Sequence, residues 1–154
     1  MPTKKKERVW ILKTVKADMS SNHSNSFKYP KKGWVIAKDW NTNPSCGGGI
    51  HGFLSGEGDG SLANWNPGAK WLVGWAYKNE IVDLNGKVKV KRLCVDFVGT
   101  RFDATQFLSK KLNSSHAVIG IEATAGDNGE ATAGNYGKAT AGNYGKATAG
   151  YNGE

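Results

Sequence analysis

The residues best suited to chemistry sit close together. Cys46, His51, Glu57, Asp59 and Ser61 lie in a stretch where seven of the fourteen residues 47–60 are glycine. A thiol with a nearby imidazole could act as nucleophile and base, provided a third group orients the ring. Cys46, His51, Cys94 and His116 are zinc-type donors, but no C-x-x-C or H-x-x-x-H spacing joins them, so no metal is expected. Glu57, Asp59 and Ser61 start like a calcium loop. Its twelfth position is Gly68, where a bidentate glutamate is needed, which excludes an EF-hand. Gly47-Gly48-Gly49 can turn backbone N–H groups toward an anion, yet neither a P-loop nor a G-x-G-x-x-G opening a helix is present. Glycines also let a tight loop pass beneath aromatic rings, with His51 satisfied by backbone. Ordering so many glycines costs conformational entropy, and this favours a pocket for a small ligand over a passive loop.

Other residues extend that pocket reading. Trp40 and Trp65 lie in the polar loops DWNTNP and NWNP and are candidates to stack on a flat ligand. Lys28, Lys31 and Lys32 lie among Phe27, Tyr29 and Trp34, a pattern that can hold a nucleotide. The expected ligand contacts are Lys28, Lys32, Trp40, Gly48, His51, Asp59 and Trp65. No cofactor is expected.

Elements must position these groups. Val9–Val15, Trp34–Lys38, Trp71–Tyr77, Ile81–Leu84 and Leu93–Val98 read as strands. Asn85-Gly86 is a hairpin turn, and Lys87–Val90 alternates as a half-exposed strand does. Asp103 can cap a helix over Ala104–Leu112, and residues 18–26 read as a polar loop. The expected class is α+β: a small antiparallel-sheet head with one or two helices over residues 7–121, after a basic arm at 1–6.

From Ala123 the chain repeats without interruption: ATAGDNGE, ATAGNYGK, ATAGNYGK, ATAGYNGE. A fixed period marks a repeat architecture, and two glycines per octad oppose a helix. Ala-Thr-Ala suits a short strand and Gly-Asn/Asp-Tyr/Asn-Gly a corner, with glycine and asparagine supplying positive φ. Residues 122–154 are therefore expected to form a short β-solenoid. Thr124, Thr132, Thr140 and Thr148 would align in ladders, and Tyr136 would stack on Tyr144. Val118–Ile121 leads in directly, as first rung or cap. Thr132, Tyr136, Thr140, Tyr144, Thr148 and Tyr151 are the expected assembly residues. Open strand edges invite pairing with another copy, so a homo-oligomer is expected, through docking of this end or within a longer array.

The Thr-Ala-Gly start and eight-residue spacing resemble the repeats of bacterial ice-nucleation proteins, which implies that two octads make one sixteen-residue coil, and so about two coils here. The runs GWVIAKDWNTNPSCGGGIHGFLSGEGDGS, AKWLV and IVDLNGKVKV resemble a group of uncharacterised bacterial and phage proteins whose head also precedes such repeats. That resemblance implies no catalytic residues. The Gly-x-His-Gly loop, a strand and Ile-Val-Asp-Leu also resemble ADP-ribosyltransferase-like folds. This implies an alternative, an NAD-using enzyme in which His51 positions the nucleotide and Glu57 or Asp59 serves as the carboxylate.

Whole-chain quantities bound these readings. The 154 residues carry a net charge of +8. Residues 1–32 hold nine Lys/Arg against two acids (+7), which leaves +1 for the remainder. The basic pI is thus no argument for a nucleic-acid-binding body. Two cysteines exclude a disulfide framework. No apolar run approaches a membrane span or a signal-peptide core, so a cytoplasmic protein is expected, of bacterial or phage-infected cells. The leading expectation is a non-enzymatic oligomeric binding protein with a glycine-rich pocket for a nucleotide-like or anionic ligand, possessing a repeat used for assembly. The third reading is structural: the repeat works and the head caps it.

Overall fold

Alternation in Val9–Val15 sends Ile11 and Val15 to one side of a sheet and Leu12 to the other, and all three are fully buried. The computed structural model describes residues 6–112 and 116–154. Most of the expected basic arm, residues 1–5, lies outside the described residues.

Seven strands form one antiparallel sheet: β1 (Arg8–Val15), β4 (Gly33–Ile36), β5 (Ile50–Leu54), β6 (Lys70–Tyr77), β7 (Ile81–Asp83), β8 (Val88–Val90) and β9 (Arg92–Gly99). Their order is β4-β9-β6-β1-β5-β8-β7. β2 (Ser20–Ser21) and β3 (Ser24–Lys28) pair as a separate hairpin where the sequence suggests a polar loop. The one helix among the described residues is α1 (Arg101–Lys111). The fold is thus small, β-rich α+β.

Three local expectations change. α1 starts earlier than expected: Thr100 is the cap, its Oγ1 accepting the Asp103 N–H at 3.1 Å, and Asp103 sits in the first turn. The glycine-rich stretch contains β5, a strand interior to the sheet, because Gly52 lets it lie against β1; a Cβ there would meet the Leu12 carbonyl oxygen at 2.9 Å. Lys89 on β8 is fully buried rather than half exposed.

Two apolar clusters flank the sheet. One gathers Ile11, Val15, Leu72, Val90, Leu93 and Val95 beneath Tyr29 and Val35. The other joins Leu12, Phe53, Trp71 and Val73 to Ala104 and Leu108 of α1, and continues through Val118, Ile119 and Ile121 to Ala133 of the repeat. Burying each such leucine contributes about 2 kcal/mol. The second core therefore ties helix, sheet and repeat together.

The octads form β10 (Glu122–Ala125), β11 (Glu130–Thr132), β12 (Lys138–Ala141) and β13 (Lys146–Thr148). β10 pairs with β12 and β11 with β13, both parallel and in register sixteen residues apart. In β10, β11 and β12 the alanines are less exposed than the glutamate, lysine and threonines beside them, in β13 Ala147 is exposed, and the threonines pair in two ladders, Thr124–Thr140 and Thr132–Thr148. Tyr136 and Tyr144 do not stack. They stand eight residues apart and occupy different corners of a sixteen-residue repeat. The corner residues at positive φ are Asn128, Tyr136, Tyr144 and Asn152, at 54–61°. The octad glycines do not take it. They are needed for close approach instead: at Gly134 a Cβ would collide with the Ala117 carbonyl oxygen, and at Gly137 it would lie 2.7 Å from that of Ile121.

Candidate functional site: a glycine loop shared by a cleft and a joint

Gly47 and Gly48 adopt φ of 94° and 64°, which turns the chain tightly before β5. Lys89 fixes that turn from below. Its Nζ donates to Asn41 Oδ1 at 2.8 Å, Gly47 O at 3.0 Å and Ser45 O at 3.2 Å. The Asn41 N–H donates to Gly48 O at 3.0 Å. Three donors meet three acceptors, so this buried ammonium is fully matched.

Above the turn lies a cleft of about 620 Å³, within the range of small-molecule sites. Gly47–Gly49, His51, Lys13, Lys87, Phe27, Tyr29 and Phe53 are among the residues that line it. The Gly47 N–H donates to His51 Nε2 at 3.2 Å. Burial, then the cations Lys87, Lys13 and Lys89, and more weakly His23, hold the His51 imidazole at a pKa of about 4. It is neutral at pH 7, with its proton on Nδ1. Lys13 Nζ donates to the His51 carbonyl at 2.7 Å. Burial, helped by Lys87, lowers the Lys13 pKa to about 8.

Of the expected ligand contacts, Gly48 and His51 line this cleft, while Lys28, Lys32, Trp40, Asp59 and Trp65 do not. Lys28 and Lys32 are exposed. Trp40 packs against the first core cluster, its ring beside Gly49. Asp59 caps a short 3-10 turn, with Oδ1 accepting the Ser61 N–H at 3.0 Å and its hydroxyl at 2.7 Å. Those bonds hold its carboxyl below the usual range. Glu57 accepts from His116 Nδ1 at 3.0 Å and from the Ala117 N–H at 3.2 Å. Neither candidate carboxylate lines the cleft with His51. Cys46 and Cys94 are both free thiols. Among the described residues no cluster of three or more His, Cys, Asp or Glu could hold a metal. The residues that sequence reasoning missed are Lys13 and Phe53. A lysine inside the apolar run VWILKTV was a usable signal for the first.

The rear of the same loop builds a joint with the repeat. The Ile119 N–H donates to Gly56 O at 2.8 Å, and Asn135 Nδ2 to Gly58 O at 2.8 Å. Residues 118–121 then act as a rung: the Gly134 N–H donates to Val118 O at 2.8 Å, and the Lys138 N–H to Ile121 O at 2.7 Å. Trp65 Nε1 donates to Gly60 O at 2.8 Å, and its ring meets Trp71 edge to face at 5.2 Å and Tyr136 in a tilted contact at 4.8 Å. Of the expected assembly residues, Tyr136 is thus committed to the head. Tyr144 and Tyr151 remain 95% and 74% exposed. Asp127 and Asn135 bond sixteen residues onward, where their Oδ1 atoms accept the N–H groups of Asn143 at 2.6 Å and Tyr151 at 2.7 Å.

The chain is similar to ice nucleation proteins. It is 30% identical over 115 residues to the ice nucleation protein of Pseudomonas fluorescens, which covers 73% of this chain and 9% of that relative. It is 28% identical over 106 residues to ice nucleation protein InaU of Pantoea ananas, covering 68% and 10%. The ice nucleation protein of Enterobacter agglomerans is likewise 28% identical over 106 residues, covering 68% and 8%. The chain spans about a tenth of the length of these curated relatives or less. No family model matches it, and no solved structure does. Among the described residues no helix is long and apolar enough to cross a membrane.

Proposed function

We propose that this is a non-enzymatic capped-repeat protein, in which the head closes one end of an octapeptide β-solenoid and the outer strands of the solenoid stack on a second copy. The observation that carries this reading is the rung at 118–121. Gly134 and Lys138 bond to head carbonyls in the way that Gly150 and Glu154 bond to the coil below them, at Gly134 and Gly137. To the first coil, the head thus stands where a preceding coil would stand. Repeat arrays need such caps, because an uncovered terminal coil leaves apolar surface and strand edges open. Similarity to ice nucleation proteins supports a repeat of structural type.

Circular dichroism of a peptide spanning residues 122–154 tests the capping role. The peptide alone is expected to lack β-structure, and the same residues joined to the head to show it. A peptide that folds unaided would overturn the reading. Sedimentation of the full chain tests the stacking, for which a dimer or larger species is the expected result.

A second reading is favoured by the cleft, which buried Lys13 lines with its ammonium over the Tyr29 ring. In that reading the head binds a small anionic ligand. A ligand-induced rise in melting temperature that His51→Ala removes is the expected result.

A further inference from the structure

Two lysines are buried in the head, and they are satisfied very differently. Lys89, with no exposed surface, has three oxygen acceptors for its three donors. Lys13 is 8% exposed and has one acceptor among the described residues, the His51 carbonyl. Its other neighbour is the Tyr29 ring, 5.1 Å from Nζ to centroid. A ring face attracts a cation but accepts no ordinary hydrogen bond. No carboxylate among the described residues pairs with Lys13. A buried ammonium with donors left over is costly unless an acceptor arrives. Lys13 lines the cleft, so that acceptor can enter from solvent.

The cleft defines what the acceptor is attached to. Its lining cations are Lys13, Lys38 and Lys87 against one carboxylate, Asp39, with His51 neutral. That balance selects an anion. About 620 Å³ is far more than an inorganic ion fills. Phe27 and Tyr29, edge to face at 5.2 Å, are the aromatic residues of the lining on the Lys13 side of the sheet, and suit a flat heterocycle.

We propose that the cleft binds a nucleoside monophosphate, with a phosphate oxygen on the Lys13 ammonium and the base against Phe27 and Tyr29. This rests on the cleft reading given above and adds the ligand class and the atom that holds it. Lys13 is a binding residue in this assignment, and no covalent step is involved. Its role was hidden because it sits in mid-strand, between Leu12 and Thr14, where a lysine reads as an interruption of the core.

Thermal shift of the full chain tests the assignment, with adenosine 5′-monophosphate, adenosine and inorganic phosphate as separate probes. The monophosphate is expected to raise the melting temperature at millimolar concentration, and each fragment alone to raise it far less. Lys13→Met removes an unmatched buried charge and keeps the chain length, so the variant should fold; Lys13→Gln is a polar companion. Both are expected to weaken the monophosphate by roughly tenfold or more, the usual worth of a charged hydrogen bond. An equal shift from inorganic phosphate would overturn the proposal, by showing that the base is not recognised. A monophosphate shift that survives Lys13→Met but is lost in Ser26→Trp, which fills the mouth of the cleft, would overturn the Lys13 assignment and leave the cleft reading standing. The absence of any shift from nucleotides, sugar phosphates and aromatic carboxylates alike would overturn both.

Discussion

The two glycine-rich regions of this chain use glycine for opposite reasons. In the head loop, Gly47, Gly48, Gly56 and Gly58 all have positive φ, so glycine is chosen for its backbone. In the octads the positive φ falls on the sixth residue, tyrosine or asparagine, and the glycines keep ordinary dihedrals. From Gly134 onward glycine is needed because the chain about sixteen residues earlier lies where a side chain would be, whereas Gly126 and Gly129 meet no such neighbour. Aperiodic glycine thus serves turns and, at Gly52, close packing, and periodic glycine sets the approach of chain segments sixteen residues apart. A residue count alone merges the two.

The largest expected effect tests the spacing role. At Gly134 a Cβ would run into backbone of Ala117 and Val118, which cannot swing aside. Gly134→Ala is expected to cost about 2–3 kcal/mol in denaturant melts. Gly126 holds the same octad position one repeat earlier and has nothing within 4 Å. Gly126→Ala should stay within about 0.5 kcal/mol. Equal costs at the two sites would break the distinction.

The next effect concerns the lysine that holds the loop. Lys89→Met strands three oxygens and is expected to cost about 3 kcal/mol, read from chemical unfolding. Lys13→Met strands one and removes a desolvated charge, so its melting temperature at pH 7 should be unchanged or higher.

pH reports on Lys13. Lys13 titrates at about 8 when folded, against 10.5 for an ordinary lysine. Between those values the unfolded chain binds the extra proton, so stability rises with pH across that window, by up to about 3 kcal/mol from this group. The groups facing it are Lys87, the neutral His51 and Tyr29, whose own pKa burial raises. Melts from pH 8 to 10.5 should show the rise in the parent chain and lack it in Lys13→Met. His51 acts at the other end: its folded pKa of about 4 lies below 6.5, so stability falls as pH drops through that interval.

The smallest effect lies at the corners. Tyr144 holds φ of 58° with a side chain 95% exposed. Asparagine tolerates that conformation better, so Tyr144→Asn should stabilise by about 0.5 kcal/mol, measured by calorimetry. Tyr136→Asn should destabilise, because that ring packs on Trp65.

Much of the sheet was legible in the sequence. Strong β-formers mark β1, β6 and β9, and Asn85-Gly86 marks its turn at φ of 61° and 103°. The octad period gave the strands of the repeat, and the resemblance to ice-nucleation repeats gave the sixteen-residue register. What stayed hidden depends on distant partners. β5 is masked by Gly52, whose purpose is the approach of Leu12, forty residues away. Lys89 alternates like a surface residue, and only the loop at 41–47 explains its burial. Trp65 looks like a stacking platform for a ligand, but its ring packs against Tyr136 of the same chain. Glu57 and Asp59 look catalytic beside His51, yet one pairs with His116 and the other caps a turn.

If the head stands where a preceding coil would stand, head and repeat rise and fall together. Native-state hydrogen exchange tests it directly. The Gly134 and Lys138 amides, which bond to Val118 and Ile121, should open with the same free energy as the Leu12 and Val73 amides of the sheet. Rapid exchange at Gly134 and Lys138 with the sheet still protected would contradict it, and would make the repeat a separate unit that merely rests on the head.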